Sequence, residues 1–199
     1  LLGVGATGGT VGNAAGAGAK AQSGTTTTLG GIGTGYLYAD WKGQIAYTTP
    51  NMNGLSATLG ITQPWNATGG ISATSSGGTD QPAFEAQVSY SWTGDFAGKV
   101  WGGAFYQDVT GLTNAATGEN KDSDAQAFEV GASTSIYNIN LVAYGYSGEG
   151  VGTTGMLVQG FDTTGSARDS DGGYLQATYV IPMGTKLGVS YGVSKLDDN

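Results

Sequence analysis

Residues Gly173–Lys195 read GYLQATYVIPMGTKLGVSYGVSK, two alternating runs joined by a very short turn. In the first run Leu175, Ala177, Tyr179 and Ile181 share one face, and Tyr174, Gln176 and Thr178 share the other. In the second, Leu187, Val189, Tyr191 and Val193 lie opposite Gly188, Ser190, Gly192 and Ser194. A period of two sustained over this length means β-strand. Pro182-Met183-Gly184 breaks the run, because proline cannot donate to a ladder and glycine accepts positive φ. The stretch is a β-hairpin with one apolar face and one small, polar face.

The same rhythm extends upstream. Lys42–Thr49 places Ile45 and Tyr47 opposite Gln44, Ala46 and Thr48, and a turn follows at Pro50-Asn51-Met52-Asn53-Gly54. Leu55, Ala57, Leu59 and Ile61 then share a face. After a Gly/Ser/Thr-rich loop, Phe84, Ala86, Val88, Tyr90 and Trp92 lie opposite Glu85, Gln87, Ser89 and Ser91. Lys99–Asp108 sets Trp101 and Phe105 against Val100, Gly102, Ala104 and Tyr106. A polar, acidic loop is expected over Val109–Asp124, and a strand over Ala125–Ser135. Asn138–Ser147 reads as a strand with undecided faces, Ile139/Leu141/Ala143 competing with Val142/Tyr144/Tyr146. The longest loop, Gly148–Asp171, precedes the hairpin. Eight strands thus alternate between short and long connections.

Composition narrows the function classes. The chain has 199 residues, with neither Cys nor His, so it lacks thiolate ligands, the usual general base and the commonest metal ligand. No nucleophile–base constellation stands out, and the expectation is a non-enzyme with no catalytic residues, no metal site and no cofactor. A formal charge of −8 argues against nucleic acid as a partner. No apolar run approaches the roughly 18 residues of a membrane helix, which leaves membrane strands open. Gly3-Val4-Gly5-Ala6-Thr7-Gly8 matches GxGxxG formally, but no strand precedes it and no amphipathic helix follows.

The alternation fits two architectures. A secreted or surface-layer β-sandwich with a structural or adhesive role would pack the apolar faces together and wet the polar ones with Lys, Glu and Arg. Here the polar faces carry Gly, Ser, Thr, Ala and Gln, and only 11% of all residues are charged. A membrane barrel puts its tight turns at one end and its long loops at the other. Strands of about ten residues, tilted about 45°, cover roughly 23 Å, close to the apolar band of about 25 Å. Tyr47, Tyr90, Trp92, Trp101, Tyr106, Tyr146 and Tyr179 are expected at the interfacial girdles. The reading is an all-β, antiparallel transmembrane β-barrel over residues 36–199. Residues 1–35, made of Gly, Ala, Thr and Ser around a single charge at Lys20, are expected to fold into the lumen. Eight strands close around a side-chain-filled interior with no room for such a segment, so a larger barrel is expected.

Two motifs carry a family resemblance. Ile45-Ala46-Tyr47-Thr48-Thr49-Pro50-Asn51-Met52-Asn53-Gly54-Leu55 and Gly184–Leu196 resemble the strand–turn–strand segments of general Gram-negative outer-membrane porins. The resemblance implies a homotrimer of sixteen-stranded barrels, about eight strands of which lie here. It also implies short periplasmic turns, long external loops and a third loop forming the constriction. The chain departs from the family in two ways. It has no terminal aromatic strand, so a partial chain is expected. Its constriction-loop region lacks acids, and Arg168 is the only arginine.

The function expected is passive diffusion of small hydrophilic solutes and ions across a Gram-negative outer membrane, with membrane lipid and lipopolysaccharide as partners. Selectivity in such a pore follows from radius and lining charge. The pore-lining charges expected are Lys42, Glu85, Asp108, Glu129 and Lys186. Glu119, Asp122, Asp124, Glu149, Asp162, Asp169 and Asp171 are expected to crown the outer mouth.

Overall fold

The computed structural model describes residues 35–38, 42–67, 79–153 and 157–197. The GxGxxG match and all but the last residue of the 1–35 segment lie outside them. Eight strands follow one another: β1 (Gln44–Thr48), β2 (Leu55–Thr62), β3 (Ala83–Trp92), β4 (Phe96–Thr113), β5 (Asn120–Ile136), β6 (Ile139–Glu149), β7 (Asp169–Val180) and β8 (Lys186–Leu196). They form one antiparallel meander in the order β1 to β8. The described residues hold no second sheet for a sandwich to pack against, and β1 and β8 each pair on one side only.

The short turns are dictated locally. Asn53 and Gly54 both adopt positive φ, 53° and 97°, as a two-residue type I′ hairpin requires. Met52 and Leu55 close that turn with paired backbone bonds of 2.8 and 3.1 Å, and Asn51 Oδ1 accepts the Gly54 N–H at 2.7 Å. In the β7–β8 turn Ile181 and Thr185 pair, and Gly184 takes φ 83° after Pro182-Met183. That is the three-residue loop with a left-handed last position.

Register assigns every side chain to a face. One face carries Ile45, Leu59, Val88, Val130, Leu141, Leu175 and Val189, and it is bare. Leu187, Val189, Tyr191 and Val193 are 58, 74, 75 and 41% exposed and do not converge on a dry interior. The β6 ambiguity resolves in the same way. Ile139↔Tyr179 and Leu141↔Ala177 join the bare face, leaving Val142, Tyr144 and Tyr146 on the other.

The second face is covered at its long-loop end. The ladder between β4 and β5 runs on to Thr113↔Asn120, with a register shift between Val109 and Leu112, so the expected loop over Val109–Asp124 is mostly strand. Only residues 114–119 connect the two strands. The extension buries Val109, Leu112, Ala125 and Ala127 against Val151, Leu157 and Phe161 of the β6–β7 loop and Ala67 of the β2–β3 loop. This small cluster is the dry core of the described chain. Of the acids expected at the outer mouth, Asp122, Asp124, Glu149, Asp169 and Asp171 lie in strands, while Glu119 and Asp162 lie in loops.

Candidate functional site

The covered face gathers most of the chemistry. Lys42, just ahead of β1, forms an ion pair with Glu85 of β3. Its Nζ also sits 3.9 Å from the centroid of the Trp65 ring and 5.6 Å from that of Phe105. Trp65 is fixed by a two-way amide clasp. The buried Gln107 side chain donates to the Trp65 C=O at 2.6 Å and accepts the Trp65 N–H at 3.0 Å. One carboxylate and two aromatic faces thus hold an ammonium whose side chain is 6% exposed.

Glu129 of β5 lies on the same face. Tyr144 donates its hydroxyl to Glu129 Oε2 at 2.6 Å, and Gln87 Nε2 approaches Oε1 at 3.4 Å. Gln87 is on the Glu85 side of β3, so Lys42, Glu85, Gln87 and Glu129 form one polar group. Tyr144 stacks on Tyr174 (5.3 Å between centroids, 25° between planes), and Tyr36 meets Tyr174 edge-on at 6.2 Å.

The segment before β1 is pinned on this face. Gly35 presses against the backbone of β7 and β8, where a Cβ would stand 2.2 Å from the Gly173 carbonyl oxygen. Its N–H donates to Ser194 Oγ at 2.8 Å. Leu37 packs on the dry cluster, and Lys42 reaches β3. Contacts of residues 35–38 and 42 therefore touch both halves of the sheet. Between Leu37, Tyr38, Trp65 and the wall is a half-open cavity of about 340 Å³, bordered by Gln44, Thr58, Glu85, Gln87 and Glu129.

The five charges expected along a pore have separate fates. Lys42, Glu85 and Glu129 come together on the covered face. Lys186 shares that face through Gly188 and Ser190 but stands exposed at the short-turn end of β8. Asp108 does not join them. It pairs with Asp124 and sits two residues from Tyr106, so the period of two keeps it on the bare face. There the Tyr106 hydroxyl donates to Asp124 Oδ1 at 2.8 Å.

Two aromatics expected at the girdle, Trp101 and Tyr146, also belong to the covered face, since Trp101 pairs with Ser89 and Gly131, and Tyr146 with Glu129. Sequence reasoning missed the cluster of Tyr36, Trp65, Phe105, Tyr144 and Tyr174. A signal was present in the glycines opposite large rings. A Cβ on Gly131 would fall 2.1 Å from the Trp101 ring, so the bare backbone is the seat of the indole. Lys99, on the same face with its Nζ 6.0 Å from the Trp101 ring centroid, was also left out of the expected set.

No protein-family model and no curated protein sequence matches the chain. Among solved structures it is similar to the outer membrane channel DcaP of Acinetobacter baumannii, with a TM-score of 0.68 and 16% sequence identity. The match covers 84% of this chain and 46% of that one, so the chain spans about half of its neighbour's length. The likeness is one of fold: an all-β antiparallel meander of the kind found in an outer-membrane β-barrel channel.

Proposed function

We propose that the chain forms part of the wall of an outer-membrane diffusion channel for small hydrophilic solutes and ions. The observation that carries this reading is the division of one sheet into two faces. One carries exposed apolar side chains on each of the eight strands, from Ile45 to Val193, and turns polar toward the long-loop end; the other bears Lys42, Glu85, Gln87 and Glu129 beneath inward-folded segments. Lipid on the first face and water on the second satisfy both. The fold of the DcaP channel agrees with this arrangement.

The free sides of β1 and β8 require further pairing in this reading. Unpaired backbone groups in hydrocarbon cost several kcal/mol each, so the barrel is completed by additional strands, and the porin resemblance implies about sixteen in all. Residues 1–35 serve as the constriction segment, a role supported by Gly35 seated on β7–β8. The assembly is a homotrimer in a Gram-negative outer membrane, with the β4–β5 and β6–β7 ends facing lipopolysaccharide. Transport is passive, and the protein is not an enzyme.

The test is reconstitution in planar bilayers with a salt gradient. Wild-type protein should give discrete conductance steps and a mild cation preference. Glu85→Lys with Glu129→Lys should move the reversal potential toward anion preference. Absence of any conductance in wild-type protein removes the channel, and an unmoved reversal potential removes these two residues from its wall.

A further inference from the structure

We propose that the cavity beneath Leu37 and Tyr38 is a binding station for small organic cations, with Glu129 as the anionic anchor. The assignment rests on the covered face being a channel wall and deepens that reading by naming a solute class.

The chain already shows how this cavity treats an ammonium. The Lys42 Nζ is held by Glu85 and by the faces of Trp65 and Phe105. At that end carboxylate and ammonium cancel. At the Glu129 end they do not. Both Glu129 oxygens face neutral donors, the Tyr144 hydroxyl and the Gln87 amide, and no ion pair to Glu129 occurs among the described residues. The cavity is therefore neutral at one end and anionic at the other.

Between them lie apolar and aromatic surfaces from Leu37, Tyr38 and Phe105. A carboxylate beside such surfaces suits a cation with a compact apolar body and disfavours an anion of the same shape. The volume of about 340 Å³ lies at the lower end of the roughly 300–1,000 Å³ of small-molecule pockets, enough for one such solute. Tyr144 has a positioning role. Its own ring is stacked on Tyr174, so its hydroxyl presents Glu129 in a fixed orientation.

Two variants separate charge from space. Glu129→Gln keeps an acceptor for Tyr144 and nearly the same shape while removing the charge. Gly60→Val puts a side chain into the cavity. A Cβ there meets only ordinary contacts, 3.7 Å from the Ala46 Cβ and 3.9 Å from Glu85, and the β-branched valine suits a strand; a far-ultraviolet spectrum matching wild type checks that the variant folds.

The experiment is titration of the detergent-solubilised protein with benzylammonium chloride and, separately, sodium benzoate, followed by calorimetry. Benzylammonium should bind wild-type protein at one site, and benzoate should not. Glu129→Gln should weaken binding by about tenfold or more, in line with the loss of a charged hydrogen-bonding partner. Gly60→Val should abolish it. Equal binding of benzoate, no binding of benzylammonium, or benzylammonium binding unchanged in both variants overturns the proposal. Conductance is scored separately: binding intact without conductance sinks the channel and leaves the station standing.

Discussion

Two apolar regions of this molecule are built from the same residue types and end in opposite surroundings. In the belt, Leu187, Val189 and Tyr191 are 58, 74 and 75% exposed; in the cluster at the long-loop end, Leu112, Leu157 and Phe161 are at most 1% exposed. Their hydrophobicity does not distinguish them. What differs is who supplies the cover. The β6–β7 loop folds back onto Val109 and Leu112 and excludes water itself. No described segment covers the belt, because each belt residue alternates with one that faces the loops. Among the described residues, a single sheet that turns its loops to one side leaves its other apolar face without a partner. Burial is worth about 1.5–3 kcal/mol for each large side chain, so in the proposed membrane setting a bilayer against the belt would supply the stabilisation that the small cluster cannot.

The comparison breaks first at Phe161. Phe161→Ala should cost about 3–5 kcal/mol of local stability, the usual range for a buried aromatic. The loss should appear as proteolysis within 150–168 while the rest of the sheet resists. Cleavage spread evenly over all strands would mean that the cluster and the belt share one core.

Adjacent positions on β3 test the belt directly. Val88 is 51% exposed on the bare face, and Ser89 points to the covered one. Val88→Arg should reduce folding into bilayers by about 2–4 kcal/mol if it sits near the midplane. Ser89→Arg should stay within about 0.5 kcal/mol. Heat-modifiable migration on gels, after refolding into vesicles, measures both. If the arginine at 89 does the greater harm, the two faces have been exchanged.

The belt was legible from alternation alone because a strand with one apolar face has to repeat every second residue. The β7–β8 hairpin, the Asn53-Gly54 turn and the bare faces of β2 and β3 were readable in that way. The strand extension through Val109–Thr113 was not. Its partner, Asn120–Asp124, is polar and acidic, and hydropathy cannot tell a solvated ladder from a loop. The candidate site was legible in its charges at Lys42, Glu85 and Glu129. Its aromatic half was hidden because large rings on the covered face contradict the small-residue pattern around them. Asp108 shares the parity of Tyr106, and that parity, not its charge, decides its face.

A smaller effect follows at Gly131. Gly131→Ala drives a Cβ into the Trp101 ring, and overpacking of this kind costs about 1–3 kcal/mol. The covered face should respond and the belt should not. Near-ultraviolet circular dichroism should therefore lose the Trp101 contribution to the tryptophan signal while bilayer insertion is preserved. An unchanged spectrum would place the indole away from Gly131.

The smallest effect lies outside the sheet, in the β6–β7 loop that covers the cluster. Partial burial by itself raises the Asp162 pKa. The Thr164 hydroxyl, the backbone N–H groups of Ser166 and Thr164, and the Lys121 charge outweigh it, and the net shift is downward from 3.8. The Thr164 N–H, Thr164 Oγ and Ser166 N–H each reach Asp162 Oδ1 at 2.8 Å. A depressed folded-state pKa means stability that is present above the unfolded value and lost as pH falls through the folded one. The loop should hold from neutral pH to near pH 4 and loosen only below it. Because Asp162 is only half-buried, screening keeps the change small. Hydrogen exchange at the Ser166 amide, compared between pH 6 and pH 3, should rise beyond its intrinsic pH dependence in the wild-type protein and not in Asp162→Asn. The belt, which titrates nothing in that range at Leu187, Val189 or Val193, should show no such excess. A matching excess in β8 would tie the two apolar regions into one cooperative unit, and the division of labour between chain and bilayer would fail.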